Sequence, residues 1–337
     1  MVKRKVFFVV SLALLLFAIR SNAAAFPPAG TTLYFPFVAN NPAAPHWRPL
    51  FEARGKPFTD LVFVQNAYFI SQQSGEIWRV VRPEAPGSLF ATVKVNSTGE
   101  AGLNALATDG THLWALYVAP DALITLAEIN LSNGEAAPLA TFGYAETLHY
   151  QHNAAGLLFA GGDLLAGVGD NEVALSAQDD ALPFGKVWAF NLAAGKTRLV
   201  ARGLRNPWAI VKLGDEIYVA DVGENKFEEI NIYGEGTNYG WPCFEALEPR
   251  LYFPSLCNAL VWTPPHVQYG RDLGHAIVGL AVINNEPAYA DYTGVIRTFN
   301  HHTLQEIGGR ISRLTQTNKG AAMLWFVYGT AHAEIYE

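Results

Sequence analysis

The 337-residue sequence predicts an all-β fold, a six-bladed β-propeller of four-stranded antiparallel blades. Helical periodicity is almost absent, and short runs rich in β-branched and aromatic residues alternate with breaks at Gly, Asp and Asn. One pattern of apolar strand, polar turn and second strand recurs six times at intervals of roughly 40 to 65 residues, which is the period of propeller blades. Two packed β-sheets with fortuitous internal similarity are the alternative.

The first 25 residues have the layout of a secretory signal peptide. Lys3, Arg4 and Lys5 precede an apolar run over residues 6–19, and the small residues around Ala23–Ala25 offer a cleavage site. An uncleaved anchor is the alternative, although this run is shorter than the roughly 20 residues that a membrane span needs. The sequence therefore predicts a periplasmic or extracellular protein whose mature chain has no membrane span.

Three segments are expected along the chain: the signal peptide (1–25), an N-terminal linker or closing strand (26–45) and a single propeller domain (46–337). The copies of the repeat begin at the strands Ala67–Ser71, Leu113–Val118, Asp163–Val168, Glu216–Asp221, Glu286–Asp291 and Met323–Val327. The sixth copy ends with the chain, and a blade that lacks one strand would expose an unpaired edge. Residues around Leu33–Val38 or Arg48–Phe51 are therefore predicted to complete the last blade and close the ring.

Composition and cysteine content narrow the class of protein further. Apolar residues make up 50% of the chain and charged residues only 16%, so intrinsic disorder is excluded. A net charge of −7 without a basic stripe argues against a nucleic-acid partner. In an oxidising compartment, Cys243 and Cys257 favour a disulfide, worth about 3 kcal/mol for a loop of this length. Two free thiols are the alternative.

Several motifs carry a family resemblance. They are Gly99–Leu103 (GEAGL), His152 followed by Gly169–Asp170, Gly203–Pro207 (GLRNP), Ala220–Asn225 (ADVGEN), Glu229–Asn231 (EIN) and Asn238–Pro242 (NYGWP). In order and spacing they resemble the soluble glucose/sorbosone (aldose sugar) dehydrogenases. That resemblance implies a six-bladed propeller that uses pyrroloquinoline quinone (PQQ) and calcium. It further implies oxidation of an aldose or related alcohol to a lactone or carbonyl, with an unknown electron acceptor.

His152 and Asp170 are the predicted catalytic base and its partner. A neutral imidazole with the ordinary pKa of about 6.5 can take a proton at neutral pH, and a carboxylate on its other nitrogen would fix the tautomer. In the resembled family the corresponding histidine removes the sugar hydroxyl proton as hydride moves to the quinone. His149 is a weaker competitor, and a loop histidine satisfied by ordinary hydrogen bonds is the structural alternative.

Three further residues match family positions near the cofactor and substrate. The guanidinium of Arg205 suits the oxyanion that develops on a reducing quinone. Asn206, which follows it, and Glu100 are the other two predicted cofactor contacts. An arginine that ties two blades together and a surface carboxylate are the alternatives for Arg205 and Glu100.

The resemblance also implies two calcium sites. The backbone carbonyls of Gly223 and Glu224 match the positions that hold the catalytic calcium, and carbonyl oxygens suit a hard cation. Glu229 and the carbonyl of Tyr239 match a second, structural calcium site. A solvated strand carboxylate is the alternative for Glu229, and the segment Asn238–Pro242 is expected to be a structural turn.

The chain departs from the family pattern where PQQ carboxylates would be held. The resembled enzymes use a lysine of the fifth blade and two arginines of the sixth, but residues 288–296 contain no lysine. Arg310 and Arg313 are the candidates for the arginine pair, and Glu224 replaces a proline. A non-catalytic carbohydrate- or protein-binding propeller that has lost PQQ is therefore the second hypothesis. A calcium-dependent lactonase is a third, on fold analogy alone.

Overall fold

The computed structural model describes residues 46–144, 150–250 and 253–336. The predicted signal peptide (1–25), the linker segment 26–45 with Leu33–Val38, and His149 lie outside these residues. Within the described chain, no helix is both long and apolar enough to cross a membrane.

The predicted all-β class is confirmed, and strands of four to nine residues form nearly all of the regular structure. The chain begins with β1 (Trp47–Arg54). The first complete sheet contains β2 (Phe58–Val64), β3 (Ala67–Gln72), β4 (Glu76–Val80) and β5 (Ser88–Thr92). The second contains β6 (Leu103–Thr108), β7 (Leu113–Val118), β8 (Leu123–Ile129) and β9 (Ala136–Tyr144). Both sheets are antiparallel meanders.

The third and fourth sheets carry most of the predicted site residues on their connections. The third contains β10 (Ala154–Ala160), β11 (Asp163–Val168), β12 (Lys186–Asn191) and β13 (Lys196–Arg202), with a 3₁₀ helix at Ala174–Gln178. The fourth contains β14 (Ala209–Leu213), β15 (Glu216–Asp221), β16 (Phe227–Ile232) and, later in the chain, β20 (Val267–Gly270). The intervening insertion holds β17 (Thr237–Asn238), β18 (Phe244–Glu245), β19 (Glu248–Pro249) and α1 (Pro254–Cys257). The predicted disulfide between Cys243 and Cys257 is present in this insertion.

The last two groups of strands share one eight-stranded sheet. The fifth group is β21 (Ile277–Ile283), β22 (Glu286–Asp291), β23 (Val295–Thr298) and β24 (Thr303–Glu306). The sixth is β25 (Arg310–Thr317), β26 (Gly320–Val327) and β27 (Thr330–Tyr336), with β1 antiparallel to β27. Gly279 meets Leu314 where β21 and β25 touch, and a Cβ at Gly279 would lie 1.9 Å from the Leu314 carbonyl oxygen.

The sheets form a propeller-like ring. The first strands of successive groups contact one another in the order β2, β6, β10, β14, β21 and β25, and β25 contacts β2 again. Apolar clusters fill the space between neighbouring sheets; one joins Trp114 and Leu126 to Leu157 and Leu164. Strands such as β7 are buried on both faces, which explains why the sequence there is continuously apolar. The ring therefore brings the loops at one end of each sheet toward a common centre.

Candidate active site

His152 and Asp170 lie side by side at the end of the β10–β11 hairpin. Ala154 of β10 pairs with Val168 of β11, so the residues just before β10 and just after β11 meet at the same end. The Nδ1 atom of His152 is 2.7 Å from Oδ1 of Asp170. Because an ionised carboxylate only accepts, Nδ1 donates to Asp170, and Nε2 is the ring nitrogen left to take a proton.

Asp170 is held by donors on both oxygens. Its Oδ1 also accepts the backbone N–H of Glu172 at 3.0 Å, and its Oδ2 accepts the indole Nε1–H of Trp241 at 2.8 Å. His152 is 6% exposed, and no described residue forms a hydrogen bond with its Nε2 atom. The imidazole is therefore oriented from one side and keeps one nitrogen available for a proton.

Glu100 joins two other predicted residues to this pair. Its Oε2 atom accepts the backbone N–H of His152 at 3.0 Å and the side-chain amide of Asn206 at 3.4 Å. The backbone N–H of Glu100 in turn donates to the carbonyl of Tyr150. The structure thus brings together Glu100, His152, Asp170 and Asn206, which lie on four different connections between strands.

Arg205 adjoins this group through its backbone and through Trp241. The backbone N–H groups of Arg205 and Asn206 donate to the two oxygens of Asp221, at 2.9 and 2.6 Å. The guanidinium of Arg205 donates to the carbonyls of Val222 and Gly223 and lies 5.7 Å from the Trp241 ring centre. The Arg205 side chain thus contacts two backbone carbonyls and an aromatic ring of the protein.

A cavity of about 420 Å³ lies next to Glu100 and Asn206, both of which line it. Its apolar lining includes Phe58, Trp208, Val222, Val278 and Tyr292. Its polar lining consists of hydroxyl and amide side chains together with Glu100: Thr59, Gln73, Asn104, Asn206 and Ser312. Apolar walls with a few convergent polar groups are typical of small-molecule sites.

The charges around this cavity do not fit PQQ, which carries three carboxylates. Among the described lining residues Glu100 alone is charged, and it is itself an anion. Arg310 is exposed and donates to the hydroxyl of Tyr292 at the cavity wall. Arg205 already donates to two carbonyls. The described residues therefore offer a tricarboxylate one exposed cation, and the clamp that the resemblance implies is not assembled here.

Arg313 belongs to the centre of the ring. It is buried and donates to the backbone carbonyls of Thr59, Asn104 and Trp208, which come from three different sheets or their connections. Asp60 lies 3.9 Å from its guanidinium, and burial lowers the pKa of Arg313. The structure thus places Arg313 as a cross-link between sheets.

The loop that the resemblance assigns to the catalytic calcium is held by protein groups. The carbonyl of Gly223 accepts a hydrogen bond from Nη1 of Arg205 at 2.8 Å, and the side chain of Glu224 forms an ion pair with Arg250. One oxygen of Glu245 accepts the four successive backbone N–H groups of residues 224–227. Because a guanidinium already contacts the Gly223 carbonyl, the described residues do not fit a calcium ion there.

The second predicted calcium position fits a hard cation better. Glu229 is buried in β16, and the Oδ1 atom of Asn231, two residues on, is buried without a hydrogen-bond partner. Asp221 is paired with Glu229 across β15 and β16. Burial raises the pKa of both carboxyl groups, and the charge of Glu229 adds to the effect on Asp221. The two oxygens of Glu229 accept the backbone N–H of Ala246 and the side-chain amide of Asn231, which are neutral donors, unlike the guanidinium at Gly223. Glu229 and Asn231 would hold calcium there, together with the Tyr239 carbonyl that the resemblance implies.

This position lacks the usual cluster of metal-ligating side chains. Within the described chain, no group of three or more His, Cys, Asp or Glu side chains is placed to hold a metal. Amide and backbone oxygens would therefore have to complete the coordination. Tyr239 itself is buried, and its hydroxyl donates to the carbonyl of Ile232.

Sequence reasoning missed two residues of the site. Trp241 was expected to belong to a structural turn, yet its indole N–H contacts Asp170. Asn104 was not singled out, yet it lines the cavity beside Glu100. The NYGWP motif marked the first residue without indicating its partner, and Asn104 follows the GEAGL motif directly. Neither contact leaves a periodic or spacing signal in the sequence.

The fold and the site define a propeller-like protein with an oriented histidine, which does not itself line the cavity but donates its backbone N–H to Glu100, a residue that does. The family model for glucose/sorbosone dehydrogenases matches residues 56–249, and the chain belongs to this family. The resemblance predicted from the motifs is therefore confirmed.

Several solved structures share this fold. A glucose dehydrogenase-type oxidoreductase of Thermus thermophilus is 17% identical, with a TM-score of 0.72 over 87% of this chain and 100% of that one. The PQQ-bound aldose sugar dehydrogenase of Streptomyces coelicolor is 17% identical, with a TM-score of 0.68 over 88% and 99%. The apo-form soluble aldose sugar dehydrogenase of Escherichia coli is 18% identical, with a TM-score of 0.69 over 87% and 99%. At these identities the likeness establishes the fold.

Proposed function

We propose that this chain is a sugar dehydrogenase in which His152 takes the proton from a sugar hydroxyl. The observation that carries this proposal is the orientation of His152 by Asp170, whose second oxygen is fixed by Trp241. Family membership supplies the reaction class, because the matched family is named for glucose and sorbosone dehydrogenases.

The chemistry assigned to these residues is proton transfer. Oxidation of an aldose or related alcohol to a lactone or carbonyl removes a hydroxyl proton and a hydride. The Nε2 atom of His152 would receive the proton, and Asp170 would stabilise the imidazolium that forms. A positioned base of this kind contributes roughly 10²- to 10⁴-fold to a rate.

The hydride must pass to a two-electron acceptor, which the described side chains do not themselves supply. The resemblance implies PQQ with calcium, and the structural neighbour from Streptomyces coelicolor is a PQQ-bound enzyme. The cavity lining does not fit a tricarboxylate, so no step is assigned to PQQ here. Calcium is assigned a structural role at Glu229 and Asn231.

The architecture and location of the proposed enzyme follow the sequence prediction. We take residues 46–337 as one propeller domain of six blades, closed by β1 on the last blade. The pairing of β1 with β27 and the cyclic contacts of the first strands support this arrangement. Export by the signal peptide at residues 1–25 is supported by the disulfide, since such bonds persist in oxidising compartments.

Dye reduction by the purified protein tests the proposal. A panel of aldoses is supplied with and without PQQ and calcium, and wild type is compared with His152→Ala. Reduction that His152→Ala loses by roughly 100-fold or more supports the role of His152. If no sugar supports dye reduction under either condition, the dehydrogenase proposal is wrong.

A non-catalytic carbohydrate-binding propeller is the second candidate. The observation that favours it is the anionic lining of the cavity, which suits a hydroxyl-rich ligand better than the tricarboxylate cofactor. Under this alternative, sugar binding by calorimetry survives in His152→Ala and no dye is reduced.

A further inference from the structure

Two guanidinium groups lie within cation–π distance of the Trp241 ring. The central carbon of the Arg205 guanidinium is 5.7 Å from the ring centre, and that of Arg250 is 4.5 Å away. A cation within about 6 Å of an aromatic centroid is attracted by the ring. Trp241 is only 5% exposed, and its indole N–H donates to Asp170. Both arginines therefore contact the ring that orients the partner of His152.

The two arginines are anchored to consecutive residues of the loop between β15 and β16. The Nη1 atom of Arg205 donates to the carbonyl of Gly223 at 2.8 Å, and Nη1 of Arg250 forms an ion pair with the carboxylate of Glu224. The same nitrogen of Arg250 lies 3.6 Å from Oε2 of Glu245. The loop and the indole ring are thus joined through both guanidinium groups.

Glu245 holds this loop in place. Its Oε1 atom accepts the four successive backbone N–H groups of residues 224–227, and its Oε2 atom is the one near Arg250. The Arg250 side chain is only 14% exposed, whereas a fully exposed ion pair is screened by water and salt and contributes little. Arg250 therefore links the loop to the ring more firmly than a surface arginine would.

The backbone of Trp241 is held by other groups. Its carbonyl accepts the side-chain amide of Gln178 at 2.6 Å, and its N–H donates to the carbonyl of Gly203 at 3.0 Å. These bonds fix where the residue lies but leave its side chain free to rotate. The direction of the indole N–H therefore depends on the groups that contact the ring, and Arg250 is the nearer of the two cations.

We propose that Arg250 is a positioning residue of the proposed dehydrogenase reaction. It lies over the Trp241 ring and keeps the indole N–H directed at Asp170, which in turn orients the imidazole of His152. The loop that the resemblance assigns to the catalytic calcium serves here as the anchor of this arginine. The inference rests on the proposed function, because it assigns a role in the same reaction.

A double-mutant cycle between Arg250 and Trp241 tests the proposal, with dye reduction measured on the sugar that gives the highest rate. Arg250→Met keeps an unbranched side chain and removes the charge. It should lower kcat roughly 3- to 10-fold, as expected for the loss of one cation–π contact, while KM changes little. In the Trp241→Phe background the same substitution should lower kcat by less than about twofold, because residues that act through one another have non-additive effects.

Arg198→Met is the matched control. Arg198 also lies between two carboxylates, those of Asp163 and Glu235, but its side chain is 42% exposed. This variant should keep the kcat of wild type. Thermal unfolding checks that each variant folds. If Arg250→Met does not fold, Glu224→Gln takes its place in the cycle, because it removes the charge that anchors Arg250 and leaves the arginine itself intact.

Acrylamide quenching of fluorescence measures the same contact without turnover. The emission that Trp241→Phe loses relative to wild type belongs to Trp241, and the corresponding emission in Arg250→Met is obtained by comparison with the double variant. We expect this emission to be quenched more strongly in Arg250→Met than in wild type, because the ring loses the group that covers it. Arg198→Met should leave the quenching unchanged.

Three results would overturn the proposal: wild-type kcat in Arg250→Met, an equal fractional loss of kcat in both backgrounds, or unchanged quenching of Trp241. Failure of the proposed function looks different. If wild type reduces no dye but Arg250→Met exposes Trp241 to acrylamide, the dehydrogenase is rejected and the positioning of Trp241 by Arg250 is retained.

Discussion

Trp241 donates its indole N–H to the oxygen of Asp170 that His152 does not contact, at 2.8 Å. Both oxygens of the carboxylate thus have side-chain donors, and rotation of Asp170 would break one of these bonds. Arg250 lies over the Trp241 ring at 4.5 Å, and Cys243, two residues after Trp241, forms a disulfide with Cys257. Through the Trp241 indole, the insertion after β16 therefore contacts Asp170, the partner of the predicted base His152.

Trp241→Phe should lower kcat/KM for the oxidised sugar by roughly 10-fold or more while KM changes little. The variant keeps the ring but removes a hydrogen bond to a charged group, which is worth about 1.5–3 kcal/mol. Trp325→Phe is the matched control, because its indole donates to Glu334 on the neighbouring strand. Dye-reduction kinetics measure both variants. Equal kcat/KM in Trp241→Phe and wild type would show that Trp241 does not position Asp170.

Much of the fold could be predicted from the sequence because each strand pair is local. The repeat at Glu216–Asp221 became β15, and the one at Glu286–Asp291 became β22, each with its antiparallel partner a few residues away. The contact between Asp170 and Trp241 joins residues 71 positions apart and depends on the course of the insertion. No local pattern encodes such a contact.

The role of Arg313 shows the same limit. The sequence marked a cation in the last blade, but its partners are backbone carbonyls of Thr59, Asn104 and Trp208, which any residue type would provide. A motif match can locate a side chain along the chain. It cannot show whether that side chain faces a ligand or the protein interior.

Arg313→Met should therefore lower the free energy of unfolding by about 3–5 kcal/mol, the usual cost of breaking a buried charged network. The loss arises because three buried carbonyls lose their donor and the buried carboxylate of Asp60 loses its counter-charge. Arg310→Met, in the same strand but exposed, should change stability by less than about 1 kcal/mol. Urea unfolding followed by tryptophan fluorescence measures both. Similar losses in the two variants would contradict the cross-linking role.

Calcium should stabilise the protein through Glu229. A ligand at 100 times its dissociation constant adds about 2.7 kcal/mol to the free energy of unfolding. Calcium should therefore raise Tm in wild type, and Glu229→Gln should lose this increase. Glu286 is an exposed residue at the start of β22, so Glu286→Gln should retain the calcium-induced increase in Tm. A calcium-induced rise in Tm of the same size in Glu229→Gln would remove the proposed structural site.

Lys186 supports the loop that follows Asp170. It is fully buried in β12, and its Nζ atom donates to the carbonyls of Ser176 and Phe184 at 2.7 and 2.8 Å. Ser176 in turn donates its hydroxyl to the carbonyl of Asp170. Burial lowers the pKa of Lys186 to about 8 from its ordinary value of 10.5. A charged ammonium is thus held beneath the site at neutral pH.

This lowered pKa predicts a pH dependence of stability. Between pH 8 and 10.5 the unfolded chain binds the Lys186 proton more tightly than the folded chain does. The contribution of Lys186 to the free energy of unfolding therefore rises with pH across this window. It is lost as pH falls through about 8, the pKa of Lys186 in the folded protein. The free energy of unfolding of wild type should therefore gain about 1 to 3 kcal/mol relative to Lys186→Met across that window. Lys196→Met, at the exposed start of β13, should show no such trend relative to wild type. Urea unfolding at several pH values measures the difference, and a constant gap between wild type and Lys186→Met would contradict the assignment.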